Sequence, residues 1–315
     1  MKNVILLTID TLRKDVLGCY GGKGLTPFID SLQDRCIKFE NAYAVGPYTQ
    51  ASFPGILTSS YYLDFGRTKG KCPVQRVLLS EVIKNKGIST AAFHSNAYLS
   101  AFFGWNRGWD EFYDSMDVNV SEKVPYIRAG EINQKILSWL DFRRKTRDTK
   151  PFFIWAHYMD VHEPYIPEQR FIKAVDPELF LTEDEMFLLF KSVLLKRDVT
   201  DKSKVEQLKK LYFAHVREVD AAVRELFTIL KEYDCQNDTT IIITSDHGEE
   251  FGEHGGLSHD GKMYQELVCV PLLIYLPDLD KPLVFQAVVS NIDIPPTVTG
   301  LFGIAPSPAW QGQSL

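Results

Sequence analysis

Residues 3–10, NVILLTID, and residues 239–247, TTIIITSDH, each run from an apolar segment directly into an aspartate. Similar short apolar segments alternate along the chain with longer stretches of helical period, which is typical of parallel strands joined by crossover helices. The sequence therefore predicts an α/β fold, with strands at 3–9, 89–95, 151–159, 239–245 and 270–276 and helices at 27–35, 77–87, 130–145 and 204–232.

The composition limits which classes of partner and which cellular compartment are expected. A chain of 315 residues with 45% hydrophobic residues can bury a large core, and its net charge of -6 argues against nucleic acid as the main partner. The first apolar segment is too short for a signal peptide or a membrane span. Five scattered cysteines predict a reducing, cytoplasmic location rather than a disulfide framework: Cys19, Cys36, Cys72, Cys235 and Cys269.

Acidic residues and histidines follow three of the predicted strands. Asp10 follows the first strand, Asp160 and His162 follow the third, and Asp246 and His247 follow the fourth. The carboxyl ends of strands form the binding crevice of an open α/β sheet, so these side chains should converge. A single aspartate there is more simply a helix N-cap, but three of them with histidines nearby favour a metal site. Carboxylate plus imidazole suits Mn²⁺ or Zn²⁺ better than Ca²⁺ or Mg²⁺.

Histidines are concentrated in the same places. Five of the seven lie within residues 157–167 and 245–261. Glycines in the second window predict a loop that brings its three histidines around one point: His247, His254 and His259. Structural roles are expected for the two histidines inside regular patterns, His94 and His215, whereas His157 fits either role.

The order of these segments resembles the sulfatase family of the alkaline phosphatase superfamily over nearly the whole chain. The similar segments are NVILLTIDTLRKDVLGCYG (3–21), TPFIDSLQDRCIKFENAYA (26–44), GPYTQASFPGILTS (46–59), HYMDVHEPYIP (157–167), TIIITSDHGEEFGEHG (240–255) and NIDIPPTVTGLFGI (291–304). The resemblance implies an alkaline-phosphatase-like three-layer sandwich, with a mostly parallel central sheet and helices on both faces. We expect a single catalytic domain over residues 1–315, with a helical insertion at about 165–203 over one sheet edge and without the family's smaller C-terminal subdomain.

The resemblance also implies transfer of a sulfuryl or phosphoryl group through a covalent intermediate on a metal-bound nucleophile. Three residues match the positions that bind the first metal: Asp10, Asp246 and His247. His162 and His259 match positions that touch the transferred group or bind a second metal, and Asp160 is a weaker metal candidate beside them. Substrate contacts are expected from Asn96, His254 and Ser52.

The nucleophile segment offers two hydroxyls, Thr49 and Ser52. Ser52-Phe53-Pro54 fits the start of the family motif, Cys or Ser, any residue, Pro, Ser, Arg. Aligning residues 56–59, ILTS, with the Leu-Leu-Thr-Gly end of the motif selects Thr49 instead, and this longer anchor favours Thr49 as nucleophile and metal ligand. Glycines and prolines predict that regular structure does not continue through residues 46–55, whereas 56–59 is expected on a helix.

A threonine nucleophile changes the expected chemistry. Sulfatases of this family oxidise a Cys or Ser to formylglycine, whereas relatives with an unmodified Thr or Ser transfer phosphoryl groups. We therefore expect a metal-dependent hydrolase or transferase of phosphate esters, phosphodiesters or phosphonates above all, acting on a small-molecule, lipid-linked or glycan-linked ester. A sulfatase that uses Ser52, and a non-catalytic binding module, are the alternatives.

Two departures from the family pattern bear on the metal. Thr11 stands where sulfatases have a second acid, which favours Mn²⁺ or Zn²⁺. Phe53 replaces the family's arginine, so neutralisation of the substrate's charge falls to metals. We expect one metal site, with a second at His162 and His259, and we expect one of these two histidines to stabilise the transferred group or to protonate the leaving oxygen.

Overall fold

The computed structural model describes residues 3–66, 68–259 and 261–315. The strands of these residues are β1 (Asn3–Ile9), β2 (Cys36–Tyr43), β3 (Ser89–His94), β4 (Glu111–Tyr113), β5 (Phe152–Tyr158), β6 (Thr239–Thr244), β7 (Glu250–Phe251), β8 (Leu257–Ser258), β9 (Leu272–Tyr275) and β10 (Leu283–Ser290). Eight of them form one sheet in the order β10-β2-β9-β6-β1-β5-β3-β4, and β7 pairs with β8 in an antiparallel ribbon.

The large sheet is mostly parallel, as predicted. β1 pairs in parallel with β5 on one side and β6 on the other, so it is a central strand. The exception is β9, which is antiparallel to both β2 and β6. The sequence placed this strand but did not indicate its direction, because β9 is buried on both faces and its apolar run looks the same as that of a parallel strand.

Helices cover both faces of the sheet. Those of the described residues are α1 (Pro27–Ser31), α2 (Thr49–Thr58), α3 (Leu79–Lys84), α4 (Ala129–Thr146), α5 (Gln169–Val175), α6 (Glu183–Val193), α7 (Lys202–Glu232), α8 (Gln265–Val268) and α9 (Ile294–Leu301). α4 and α7 were predicted almost to their ends. No helix among the described residues is long and apolar enough to cross a membrane.

Side chains of β1 alternate between two hydrophobic cores. Ile5, Leu7 and Ile9 pack on one face with residues of α4 and α7. Val4 and Leu6 pack on the other face with residues of α2, α3 and α9. Because neighbouring strand residues point to opposite faces, a strand that is apolar at every position can hold a helix layer on each side. The three layers of the sandwich follow from this.

α2 begins at Thr49 and continues through Pro54, so the predicted interruption of regular structure over 46–55 is wrong. The glycines serve close packing instead. A Cβ on Gly46 would lie 2.4 Å from the Cβ of Ala51, and a Cβ on Gly55 would lie 2.7 Å from Val45 Cγ2. Both glycines therefore let α2 approach the segment that precedes it, and burial of the helix outweighs the lost amide of Pro54.

The region predicted as an insertion contains α5 and α6. Both helices pack against α7 on one face of the sheet, where Ile172, Met186 and Phe190 enter the same core as Ile5 and Leu7. This placement differs from the position over a sheet edge that the sequence suggested. The apolar spacing of α6 explains the difference, because a helix with a buried apolar stripe needs a neighbouring helix to cover it.

Candidate metal centre and nucleophile

The register of the sheet brings the first two acidic residues together. β1 and β6 are parallel, with Thr8 opposite Thr244, so the same offset sets Asp10 beside Asp246 just beyond the strand ends. Both aspartates are completely buried, as is His247. Asp10, Asp246 and His247 each offer a ligand atom, and these atoms all lie within 4.8 Å of one another.

His247 presents its free lone pair to the two carboxylates. Its Nδ1 lies 3.0 Å from the carbonyl oxygen of Gly248, an arrangement that requires Nδ1 to carry the proton. Nε2 is then an acceptor, and it lies 3.3 Å from Asp246 Oδ2 and 3.5 Å from Asp10 Oδ1. Burial, followed by repulsion from His259, lowers the pKa of His247 to about 3, so the ring is neutral at pH 7.

The donor set fits a divalent cation. Within the described residues, neither Asp10 Oδ1 nor Asp246 Oδ2 has a hydrogen-bond partner, although both are buried. Burial and then the charge of Asp10 raise the pKa of Asp246. Burial would also raise the pKa of Asp10, but the hydrogen bond from His157 and the charges of the neighbouring histidines together outweigh burial and lower it. Two buried carboxylate oxygens and an imidazole lone pair, all acceptors, repel one another unless a cation lies between them.

Thr49 lies at the edge of this group, at the start of α2. Its Oγ1 is 3.5 Å from Asp10 Oδ2 and 3.5 Å from His247 Nε2, and the amide of Asn96 approaches it at 3.4 Å. The helix N-terminus adds a partial positive charge, which favours an anionic oxygen or a phosphate group at this position. The Thr49 hydroxyl therefore faces the ligand atoms of Asp10 and His247.

Ser52 makes a different contact. Its side chain is fully buried, one turn further along α2, and its Oγ donates to the carbonyl oxygen of Asp246 at 2.6 Å. The hydroxyl proton of Ser52 is thus used in a hydrogen bond to the main chain. The structure brings both hydroxyls near the acidic cluster, but Thr49 faces the ligand atoms and Ser52 faces the main chain.

Asp10 is held in place by two residues. Asn96 Nδ2 donates to Asp10 Oδ2 at 3.0 Å, and His157 Nε2 lies 3.3 Å from the same oxygen. The other nitrogen of His157 lies 2.8 Å from Thr8 Oγ1. Sequence reasoning left the role of His157 open, because only the pairing of β1 with β5, which sets His157 opposite Thr8, brings it to Asp10.

His259 packs against His247 of this cluster, and His162 packs against His259. The ring centroid of His259 lies 4.6 Å from that of His247 and 5.1 Å from that of His162. His259 Nδ1 pairs with the buried Glu249 at 3.2 Å. Burial would lower the pKa of His259, but the surrounding carboxylates, Glu249 foremost among them, together outweigh burial and raise the pKa to about 9. Glu249 was missed in the sequence, although it belongs to the SDHGE segment.

Two of the expected site residues lie elsewhere. Asp160 Oδ2 accepts the amide of Ala129 at 2.9 Å and so caps the N-terminus of α4, which was the simpler expectation for a single aspartate. His254 is 43% exposed, pairs with Glu266 at 3.0 Å and stacks on Tyr264. The glycine-rich loop therefore brings together His247 and His259 without His254.

Comparison with known proteins agrees with this geometry. A sequence model of the sulfatase family matches residues 2–304. The chain belongs to the sulfatase family. An arylsulfatase of Clostridium perfringens (strain 13 / Type A) is 23% identical to it, over 99% of this chain and 77% of that protein. The membership confirms the family expected from the sequence, and a sulfatase-family hydrolase is the activity class that it supports.

Solved structures of the same fold include a complex with a disulfated sugar and a phosphonate monoester hydrolase. A protein solved with its substrate D-glucosamine-2-N,6-O-disulfate superposes with a TM-score of 0.80 at 21% identity, covering 100% of this chain and 79% of that chain. The phosphonate monoester hydrolase of Agrobacterium radiobacter superposes with a TM-score of 0.77 at 19% identity, covering 100% and 76%. These matches confirm the predicted fold class of this sulfatase-family chain.

Proposed function

We propose that this protein is a metal-dependent hydrolase or transferase of phosphate esters, phosphodiesters or phosphonates in particular, with Thr49 as the nucleophile. The observation that carries the proposal is the Thr49 hydroxyl, 3.5 Å from both Asp10 Oδ2 and His247 Nε2. We also propose a reducing, cytoplasmic location, because the five cysteines are free.

The identity of residue 49 argues for phosphoryl transfer. Formylglycine is an aldehyde, which forms when the primary alcohol or thiol of Ser or Cys is oxidised. Threonine is a secondary alcohol, so its oxidation gives a ketone and cannot give formylglycine. An unmodified alkoxide at this position attacks phosphorus directly.

Asp10, Asp246, His247 and Thr49 would hold the cation. A divalent cation bound there lowers the pKa of the Thr49 hydroxyl and neutralises charge on the substrate. Mn²⁺ and Zn²⁺ are proposed ahead of Ca²⁺ and Mg²⁺, since an imidazole is among the donors. A second cation at His162 and His259 is the alternative role for these two histidines, and His259 would not donate a proton in that case.

The side chains of the protein have the following roles in the proposed reaction. Thr49 Oγ1 forms a bond to phosphorus while the bond from phosphorus to the leaving oxygen breaks, and that oxygen takes its electron pair. His259, protonated at neutral pH, gives a proton to the leaving alcohol. Water, or an acceptor alcohol in a transferase, then displaces Thr49 from phosphorus and returns its proton to His259. His162 would contact the transferred group.

A sulfate ester is the second candidate substrate, and the names of the relatives favour it. The arylsulfatase and the disulfated-glucosamine complex both concern sulfate esters, whereas one neighbour named here hydrolyses phosphonates. In this alternative Ser52 is the residue converted to formylglycine, which would remove its bond to the Asp246 carbonyl.

Two alanine substitutions and one mass measurement test the proposal. Mn²⁺-loaded wild type, Thr49→Ala and Ser52→Ala are assayed on a matched pair of aryl esters, bis(p-nitrophenyl) phosphate and p-nitrophenyl sulfate. We expect phosphodiester turnover in the wild type, at least about a thousandfold loss in Thr49→Ala with bound metal retained, and a smaller loss in Ser52→Ala. Peptide mass spectra should show residues 46–59 unmodified.

A sulfatase would give the opposite pattern of results. Turnover of the sulfate ester, formylglycine at position 52 and full activity in Thr49→Ala would replace the phosphoesterase by a sulfatase. Absence of turnover on either ester, with metal bound, would favour the non-catalytic binding module.

A further inference from the structure

We propose that Glu249, held by Tyr165, is the positioning residue that orients His259 toward the leaving oxygen of the substrate. The inference rests on the proposed esterase function, which it deepens by assigning fixed roles to two buried residues that the reaction does not otherwise use. Neither Glu249 nor Tyr165 touches the transferred group in this assignment, because both act through the ring of His259.

The β7–β8 ribbon places Glu249 opposite His259. Glu250 of β7 pairs with Ser258 of β8 in antiparallel register. Glu249 and His259 are the next residues beyond this pair, and the register of an antiparallel pair sets them face to face. Glu249 Oε1 accordingly lies 3.2 Å from His259 Nδ1. The ribbon therefore joins a carboxylate and an imidazole that are ten positions apart in the sequence.

Both carboxylate oxygens of Glu249 are in use. Oε2 accepts the hydroxyl of Tyr165 at 2.6 Å, while Oε1 faces His259. Glu249 is completely buried, and Arg13 Nη1 donates to its carbonyl oxygen at 3.0 Å. Tyr165 is buried too and packs edge-on against Tyr212, with 5.7 Å between the ring centroids. A carboxylate that is fixed at both oxygens and at its main chain holds the imidazole in one orientation.

This orientation determines which nitrogen of His259 faces the reaction. A carboxylate only accepts hydrogen bonds, so Nδ1 donates to Glu249 and Nε2 is the nitrogen that remains for the substrate. The ring of His259 packs on that of His247, with 4.6 Å between the centroids, and His247 Nε2 lies 3.5 Å from Thr49 Oγ1. One histidine ring thus separates His259 from the nucleophile.

His162 has a different partner. Its Nδ1 donates to the carbonyl oxygen of Glu163, the next residue in the chain, at 2.7 Å. That acceptor is a neutral main-chain group, whereas the acceptor for His259 is a buried carboxylate. Because a hydrogen bond to a charged acceptor is the stronger of the two, His259 is the more firmly held ring. This difference assigns proton donation to His259 and leaves His162 as a contact to the transferred group.

The backbone before His259 is itself unusual. Ser258 has a φ of 66°, in the left-handed region that residues other than glycine seldom adopt, and it is buried. Such a conformation persists where the surrounding structure holds it, and it concentrates at functional sites. The strained residue directly precedes the histidine that Glu249 orients.

The test uses two diesters that share a methyl phosphoryl group and differ in the leaving group: methyl p-nitrophenyl phosphate and methyl phenyl phosphate. p-Nitrophenolate leaves without protonation, whereas departure of phenolate gains more from a proton donor. In Mn²⁺-loaded Glu249→Asp the charge is kept, but the carboxylate is withdrawn by about 1.5 Å. We expect kcat to fall about 30-fold on the phenyl ester and at most about threefold on the p-nitrophenyl ester, with KM nearly unchanged.

Glu250→Asp is the matched control, since it makes the same change in the neighbouring buried glutamate, whose carboxylate binds Lys262 and the amide of Gly256. It should leave the ratio of the two kcat values unchanged. Tyr165→Phe keeps the ring and removes the bond to Glu249, so it should shift the ratio in the same direction by about fivefold. This variant decides the question if Glu249→Asp does not fold.

Equal losses on both esters in Glu249→Asp, or an unchanged ratio in Tyr165→Phe, overturn the assignment and leave the proposed esterase standing. A wild type that turns over only the p-nitrophenyl ester overturns it as well. If the wild type turns over neither ester, the esterase fails, and nuclear magnetic resonance of Zn²⁺-loaded protein with isotope-labelled histidine decides the positioning separately. A His259 Nδ1 proton that exchanges slowly with water in the wild type and faster in Tyr165→Phe would support the positioning, and equal exchange would refute it.

Discussion

Asn96 and Asp10 are 86 residues apart in the sequence, yet the Asn96 amide donates to Asp10 Oδ2 across 3.0 Å. His157 approaches the same oxygen at 3.3 Å. Two donors on one carboxylate oxygen leave Oδ1 as the atom that faces Asp246 and His247. Neighbours that orient a ligand in this way commonly contribute 10–100-fold, roughly, to metal affinity.

We therefore expect His157→Phe to weaken Mn²⁺ binding by about 10–100-fold, because the ring is kept while the donor to Asp10 is lost. Competition with a metallochromic chelator measures the affinity. His254→Phe is the matched control, since His254 contacts Glu266 and Tyr264 outside the cluster. Unchanged affinity in His157→Phe would mean that Asp10 needs no orienting donor.

Asp246→Asn should have opposite effects on stability with and without metal. In chelated protein the substitution removes a buried charge next to Asp10, so the melting temperature should rise by several degrees, roughly. With excess Mn²⁺ the melting temperature should fall below that of the wild type, because a ligand is lost. Thermal unfolding in EDTA and in Mn²⁺ measures both signs, and a change of the same sign in both would contradict a cation between the two aspartates.

The pH dependence of the unfolding free energy should reveal the titration of the Asp160 carboxyl. Burial and the charge of Glu218 raise the pKa of this carboxyl to about 7. An acid whose pKa is raised by folding binds more protons in the folded state, so the wild type loses stability as pH rises towards that value and is fully penalised above it.

Asp160→Asn keeps an acceptor for Ala129 N and removes the titration. Between pH 5.5 and 8.5 we expect the wild type to lose on the order of 2 kcal/mol of unfolding free energy that the variant does not lose. Urea unfolding of the chelated proteins at both pH values measures this, and parallel pH slopes would show that Asp160 titrates normally.

Thr11 occupies a strained position beside Asp10. Its φ is 55°, which a β-branched residue rarely adopts, and its carbonyl accepts the hydroxyl of Tyr212 at 3.0 Å. Its own hydroxyl is buried without a partner among the described residues. Asp tolerates this backbone better than Thr, and it would restore the second acid of the family pattern.

Thr11→Asp should therefore shift the metal preference from Mn²⁺ towards Ca²⁺ by about tenfold, because Ca²⁺ favours additional carboxylate oxygens. Thr11→Asn is the control, since it has the same backbone tolerance and no charge. The ratio of the two metal affinities, from competition titrations, is the quantity to compare. An equal shift in both variants would assign the effect to relief of strain.

The sequence predicted the parts of the site that strand ends determine. Asp10, Asp246 and His247 follow buried strands, and parallel neighbours in register must place them together. Asp160 follows a strand equally well, but whether such a carboxyl meets a metal or a helix N-terminus depends on where α4 begins in space. The local sequence does not show how far the Asp160 carboxyl lies from the start of α4.

Other differences between the prediction and the structure also arise from packing and pairing that the local sequence does not show. Pro54 is read as a helix breaker, yet packing of α2 against both Val45 and the sheet maintains the helix around it. His157 lies inside a strand, where a buried histidine is usually structural, and only the pairing of β1 with β5 sets it against Asp10. Long-range pairing therefore decided what residue type alone left open.

The bond from Ser52 to the Asp246 carbonyl joins two segments that are 194 positions apart. It fastens the first turn of α2 to the end of β6 without using the side chain of residue 49. The side chain of residue 49 can therefore be exchanged while the position of α2 relative to β6 stays fixed by this hydrogen bond. A lineage with this frame could exchange one nucleophile for another, and with it one class of ester for another, without rebuilding the scaffold that holds the cation.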